Sequence, residues 1–211
     1  MSSSSVQFWD RIAEKYARSP VGDPAAYEYT LERVRSYLGP KDRVLELGCG
    51  TGTTALHLRD AVACYTASDV APAMIAIAQR KKEEASAANL RFVVSDVAGA
   101  PEEIFDAVMG FNLFHLVGDL DAALAQVHRR IRPGGLFISK TPCLRDSKGA
   151  FRLLMRMILP AMQLVGKAPS VVRFLSINDW QARIEAAGFE IIETGNYPVS
   201  PPSRLIVARR R

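Results

Sequence analysis

Cysteine is scarce in this 211-residue chain. Cys49, Cys64 and Cys143 are too few and too scattered for a disulfide framework or a CxxC metal site. They are expected as small buried apolar groups in a reducing compartment, with the cytoplasm as the expected location. The three histidines, His57, His115 and His128, form no ligand-spaced cluster with them, so no metal is expected, and thiolate-based arsenic chemistry is disfavoured. Long apolar runs are also missing. No stretch approaches the roughly 18 residues of a membrane span, and the best one, 153–165, is broken by Arg156 and Pro160. The opening MSSSSVQFWDRI lacks the apolar centre of a secretory leader, so none is expected there. No internal repeat is present.

What remains is ordinary globular usage, with 48% apolar and 23% charged residues, enough for one domain with appendages. The net charge is +5 and is unevenly spread. Residues 140–176 hold seven basic residues and a single acid, Asp146, so the rest of the chain is nearly neutral. A nucleic-acid reader more often spreads its charge along a docking face, so no nucleic-acid partner is expected.

Ser2 to Ser5 reads as a frayed polar tail. Residues 6–18 and 24–38 carry apolar residues at helical spacing, the second stopped by Gly39-Pro40. The pattern then alternates. Short strands are expected at 43–47, 62–68, 90–95, 105–111 and, after the Pro133-Gly134-Gly135 turn, 136–140. Helices are expected at 52–60, at 72–86 with Pro72 in its first turn, and at 119–131. Between Asp96 and Phe105 there is no room for more than a turn of helix. Such alternation implies parallel strands covered on both faces. The tail reads as a helix, 177–187, and an antiparallel pair, 189–194 and 203–209, added at the sheet edge.

ELGCGTGTT (46–54) follows a strand and opens a helix, where Gly48, Gly50 and Gly52 permit tight turning and close approach of a ligand to the backbone. Thr53 stands where the dinucleotide fingerprint has its last glycine, and no lysine follows as in a phosphate-binding P-loop. Asp69 ends the second strand, where an acid can accept both hydroxyls of a ribose. Asp96 ends the third and can accept from an exocyclic amine while Val97 packs on a ring. Taken singly, each acid could be only an N-cap or a turn residue. Together the three strand ends lie at the carboxyl edge of the sheet, where open α/β folds bind ligands.

VLELGCGTGTTALHL, SDVAPAMIAIAQRK, FVVSDV, FDAVMGFNLFHLV and IRPGGLFISK, in that order over about residues 41–140, resemble the class I S-adenosylmethionine-dependent methyltransferase family. The resemblance implies a Rossmann-like α/β fold with a seven-stranded, mostly parallel sheet in the order 3-2-1-4-5-7-6 and helices on both faces. It implies S-adenosyl-L-methionine as cofactor. Glu46 and Gly48 would lie by the methionyl amino group, and Gly50, next to Cys49, under the sulfonium. Asp69 would take the ribose, Val70 and Met74 would pack near the adenine, and Asp96 and Val97 would hold its amine and ring. Asn112 would sit beside the transferred methyl. FWDRIAEKY resembles the family's leading helix, so Tyr16 is either a reach to the cofactor carboxylate or an anchor of helix to core.

The implied division is N-terminal helices in 1–40, a cofactor-binding core in 41–140, a basic helical insertion in 141–176, and a terminal helix with the strand pair in 177–211. Methyl transfer from a sulfonium needs mainly proximity and alignment. His115 is the one ionisable candidate for a base, with loop orientation the favoured role; His57 and His128 are expected to be structural. No Asn-Pro-Pro-Tyr or Asp-Pro-Pro-Tyr follows the fourth strand, which favours a small-molecule acceptor over a nucleobase. The rivals are a nicotinamide-dependent oxidoreductase, against which Thr53 counts, and a non-catalytic cofactor-binding module. Arg145, Lys148, Arg152 and Arg156 are spaced to share a helical face. Leu153, Leu154, Met157, Ile158 and Met162 fall on the remainder, and Pro160 and Pro169 offer hinges. This insertion is expected to be either a helix packed on the sheet or a lid over an apolar pocket, with peripheral membrane contact through 145–165.

Overall fold

A computed structural model describes residues 3–211. Seven strands form one sheet: β1 (Arg43–Leu47), β2 (Cys64–Asp69), β3 (Leu90–Val94), β4 (Phe105–Phe111), β5 (Ile131–Pro142), β6 (Phe189–Asn196) and β7 (Ser203–Arg210). Their order is β3-β2-β1-β4-β5-β7-β6. β1 to β5 pair in parallel, and β7 runs antiparallel between β5 and β6. The helices are α1 (Ser3–Arg18), α2 (Pro24–Arg35), α3 (Thr53–Leu58), α4 (Pro72–Glu84), α5 (Leu120–Arg130), α6 (Gly149–Leu164) and α7 (Ile177–Ala186).

Adjacent residues of a strand point to opposite faces, and both faces are apolar. Leu45, Val108, Phe137 and Ile206 bury one face against Leu124 of α5 and Trp180 of α7. Val44, Met109, Ile138 and Val207 bury the other against Val34 of α2 and Leu58 of α3. Each large side chain taken fully out of water contributes about 1.5–3 kcal/mol. Inside the core Trp180 Nε1 donates to Ser139 Oγ at 3.3 Å. Caps set the helix starts. The side chains of Asp23, Asp119 and Ser176 accept backbone N–H groups of α2, α5 and α7, and Pro72 opens α4.

Several expectations are corrected. β5 begins at Ile131, before the expected 133–135 turn, and takes those residues in as an irregularity in its register with β4, where Gly135 lies too close to the Asp106 carbonyl for any side chain. Cys64, at the open start of β2, is exposed, whereas Cys49 and Cys143 are buried. Ser4 and Ser5 belong to α1, and Ser5 Oγ lies 2.8 Å from Ser170 Oγ, so the tail is not frayed there; Ser2 lies outside the described residues. Arg145 sits in a 3-10 turn and Lys148 caps α6, so only Arg152 and Arg156 of the four basic residues are helical. α6 continues through Pro160, which therefore does not divide it. Among the described residues no helix is long and apolar enough to cross a membrane.

Gly52 is one of the tight points of the framework. It has φ +73°, and a Cβ there would lie 2.7 Å from the Phe92 ring and 2.8 Å from Ala78 Cβ. Gly52→Ala is expected to lower stability by about 2–4 kcal/mol, from left-handed strain plus overpacking. Chemical denaturation measures the loss.

Candidate functional site

The loop after β1 is held by the end of β2. Cys49 N–H donates to the Ser68 carbonyl at 2.9 Å, and Gly50 N–H donates to Asp69 Oδ2 at 2.9 Å. Asp69 Oδ1 accepts Ala71 N–H at 2.9 Å, fixing the entry to α4. From outside, Lys81 Nζ on α4 donates to Thr51 Oγ1 at 3.2 Å and Thr53 Oγ1 at 3.0 Å. Gly48 adopts φ +67°, and a Cβ there would strike Leu113 at 2.8 Å, so only glycine lets the loop lie this close to the end of β4. Burial raises the Asp69 carboxyl above its ordinary value, against the opposing pull of the N–H groups of Ala71, Gly50 and Val70.

Beside this loop lies a cavity of about 490 Å³, within the usual range for a ligand site. Gly48, Gly50, Asp69, Val70, Met74, Asp96 and Val97 line one part of it. Asp96 Oδ1 also accepts the N–H groups of Ala98 at 3.1 Å and Gly99 at 3.0 Å, so it closes a turn while facing the cavity. Tyr16 and Trp9, one above the other on α1, cover that part. Desolvation first, then Asp69 and Glu46, raise the Tyr16 phenol.

Asn112 and His115 lie along the cavity, following β4. Asn112 is held at φ +55°, a left-handed conformation that asparagine tolerates better than most residues, and its N–H donates to the Lys140 carbonyl at 2.7 Å. Among the described residues His115 Nδ1 is buried without a partner. Desolvation lowers its pKa to about 4, so the ring is neutral at physiological pH. Met155, Leu159 and Met162, spaced to share one face of α6, line the remaining wall with Ala168, Pro169 and Val172.

Two expected site residues lie elsewhere. Glu46 is not among the lining residues; its Oε2 accepts the Tyr65 hydroxyl at 2.8 Å inside the protein. Cys49 is packed in the core, and burial raises its thiol. On α6 the pocket takes Met155, Leu159 and Met162, whereas Leu153, Leu154, Met157 and Ile158 point to solvent. Trp9, Phe111, Leu113 and Leu116 also line the cavity and were not anticipated. The seven-residue step from Trp9 to Tyr16 was the available signal. His57 and His128 pack edge-on against Tyr27 and Phe189, outside the cavity.

A mostly parallel sheet in this order, with a glycine loop and two acids at its carboxyl edge, defines an open α/β protein built to take a nucleoside-like ligand. Residues 44–135 match a family described as a methyltransferase domain, and over that stretch the chain is similar to the class I S-adenosylmethionine-dependent methyltransferases. It is 28% identical over 170 residues to malonyl-[acyl-carrier protein] O-methyltransferase of Paenibacillus sp., covering 77% of this chain and 60% of that one. It is 38% identical over 119 residues to demethylmenaquinone methyltransferase of Thermus thermophilus, covering 54% of this chain and 53% of the relative. The chain thus spans less than two thirds of either relative. Magnesium protoporphyrin IX methyltransferase from Synechocystis, solved with bound SAH, shares the fold at TM-score 0.72 and 20% identity, over 99% of this chain and 95% of the other.

Glu46 predicts a pH dependence. Burial, with Asp69 adding to it, raises its pKa to about 7 against the pull of the Tyr65 hydroxyl, from 4.5 in the unfolded chain. The folded state therefore holds a proton that the unfolded state has released between these values. Stability falls as pH rises from about 4.5 to about 7 and levels off above, by about 3 kcal/mol from this group. Glu46→Gln is expected to flatten that decline, as read by denaturant unfolding at several pH values.

Proposed function

We propose that the chain is an S-adenosylmethionine-dependent methyltransferase whose acceptor is a small, apolar, lipid-like molecule. One observation carries this reading: a single cavity runs from the glycine loop and its two acids to an apolar wall of methionine and leucine, with Asn112 and His115 between. The cofactor fits the donor set. Asp69 and Asp96 face the cavity, and among the described residues the only lysine or arginine lining it is Lys167, beyond α6. That balance suits a cationic ligand without phosphates. Gly48 and Gly50 leave the backbone open to it.

Bound there, S-adenosyl-L-methionine supplies a methyl group on a sulfonium, open to in-line displacement. The chain's own residues bind and align. Asp69 has two hydrogen bonds from the backbone and retains lone pairs for ribose hydroxyls. Asp96 and Val97 take the adenine edge and ring, Val70 and Met74 pack beside it, and Tyr16 closes over it. Glu46 acts at a distance, as a buried carboxyl beneath the loop. Asn112 borders the space in which the acceptor meets the methyl. His115 is a neutral and weakly basic imidazole, suited to holding the acceptor rather than taking its proton. The acceptor would then bring its own nucleophilic atom. The relative named for demethylmenaquinone supports an acceptor of low polarity.

Thermal shifts with S-adenosylmethionine and with nicotinamide cofactors, followed by turnover on phenols, amines, thiols and quinol-like lipids, test the reading. Stabilisation by the nicotinamide cofactors alone would overturn it. Asp69→Ala is expected to weaken S-adenosylmethionine binding by about 1–3 kcal/mol, since a charged acceptor and the tether on Gly50 go together. Calorimetric titration measures this, and an unchanged dissociation constant would remove Asp69 from the site. His115→Ala is expected to raise KM for the acceptor while turnover falls less than about tenfold. A loss of roughly 10²–10⁴ in kcat that varies with pH would instead make His115 a base.

A further inference from the structure

α6 is apolar on two sides. Its inner face, Met155, Leu159 and Met162, lines the cavity, yet Leu159 is the only one of its sixteen residues that is buried. The outer face carries Leu153, Leu154, Met157, Ile158 and Leu164, with exposures of 60% at Leu153, 62% at Met157 and 90% at Leu164, and Val165 follows at 65%. No charged or hydrogen-bonding side chain interrupts that outer strip. A contiguous apolar strip of this kind on a surface marks a site of association.

Cations flank the strip on one side. Arg145, Arg152 and Arg156 border a single cleft of about 480 Å³ along α6, with Leu159 and Gln163. Lys148 precedes the helix and Lys167 follows it. α6 contains no acid. The nearest carboxylates in sequence are committed: Asp146 Oδ2 accepts Ile177 N–H at 2.6 Å, and Asp179 pairs with Arg145 at 3.2 Å. Among the described residues no carboxylate pairs with Lys148, Arg152 or Arg156. The region is also held in place. Arg11 on α1 donates to the Gly166 carbonyl, and Arg173 Nε donates to the Val117 carbonyl at 2.7 Å.

We infer that α6 is an interfacial helix that docks the protein on an anionic lipid bilayer, with the Leu153–Met157–Leu164 strip entering the acyl boundary and the arginine cleft taking headgroup phosphates. Charge complementarity selects this occupant. An apolar strip edged by Lys148, Arg152 and Arg156, which no described carboxylate pairs, matches an anionic bilayer, which needs no shape complementarity. A second copy meeting the strip face to face would instead bring the same cations together. The arginine cleft and the cavity share Leu159 and Val172, so the docked face adjoins the cavity wall. That this face admits a lipid-like acceptor rests on the proposed function; the docking does not.

The test is co-sedimentation of the full chain with vesicles of phosphatidylcholine alone and of equal parts phosphatidylcholine and phosphatidylglycerol. Binding is expected to the mixed vesicles at low salt and to weaken as salt rises. Arg152→Glu/Arg156→Glu is expected to weaken it at least about tenfold, and Met157→Asp to weaken it as well. Both variants change exposed positions and should keep the parent's thermal unfolding midpoint, which separates docking from folding. No binding to the mixed vesicles at low salt, or full binding by both variants, would overturn the inference. So would a dimer, seen by light scattering, that Met157→Asp dissociates in a chain that ignores vesicles. Vesicle binding without S-adenosylmethionine binding would overturn the proposed function and leave the docking standing.

Discussion

The Asp69 carboxylate ties the glycine loop to the sheet. One oxygen receives the Gly50 N–H and the other the Ala71 N–H, so the turn after β1 and the entry to α4 are set by a single half-buried group. Left-handed glycines alone would allow many loop shapes; this clamp, with the Cys49–Ser68 hydrogen bond, selects one. The cavity wall, the distance to Asp96 and the seat of Tyr16 against Gly50 all follow from that shape. The clamp lies at some electrostatic cost, because Glu46 and Asp69 are both raised by burial and interact with each other. A bound cation would relieve that cost, which links the framework to the ligand proposed for it.

The cavity is otherwise built from elements outside the alternating core. α1 brings Trp9 and Tyr16 from one side, and α6 with the segment after it brings methionine, leucine and proline from the other. The two are joined where Arg11 meets Gly166 and Ser5 meets Ser170. The sheet edge thus supplies the polar groups, and the two helices supply the apolar enclosure.

α6 illustrates why an apolar helix is ambiguous. Its residues are apolar nearly all round, so helical periodicity places no single face inward. The expected lining set and the observed one share Met162, but the pocket takes Met155 and Leu159 in place of Leu153, Leu154, Met157 and Ile158. Contacts distant in sequence decide between them, among them Arg11 with the Gly166 carbonyl and Arg173 with the His115 and Val117 carbonyls.

The order of strands and helices, the doubly buried sheet, the glycine turn and the acids at the ends of β2 and β3 were all legible in the chain. Each is written in local pattern: runs of apolar residues, glycine where φ must be positive, and caps at helix starts. The cavity-lining positions of Asp69, Asp96, Asn112 and His115 were legible for the same reason, since strand ends fall on one edge of a parallel sheet. Tertiary structure decided what depends on partners far along the chain. It turned Glu46 toward Tyr65 rather than into the cavity and left Cys64 exposed at a strand start. It carried β5 through a turn-like Pro-Gly-Gly because β4 lies beside it, and it chose which face of α6 meets the cavity. Such outcomes rest on packing between segments that local periodicity does not relate.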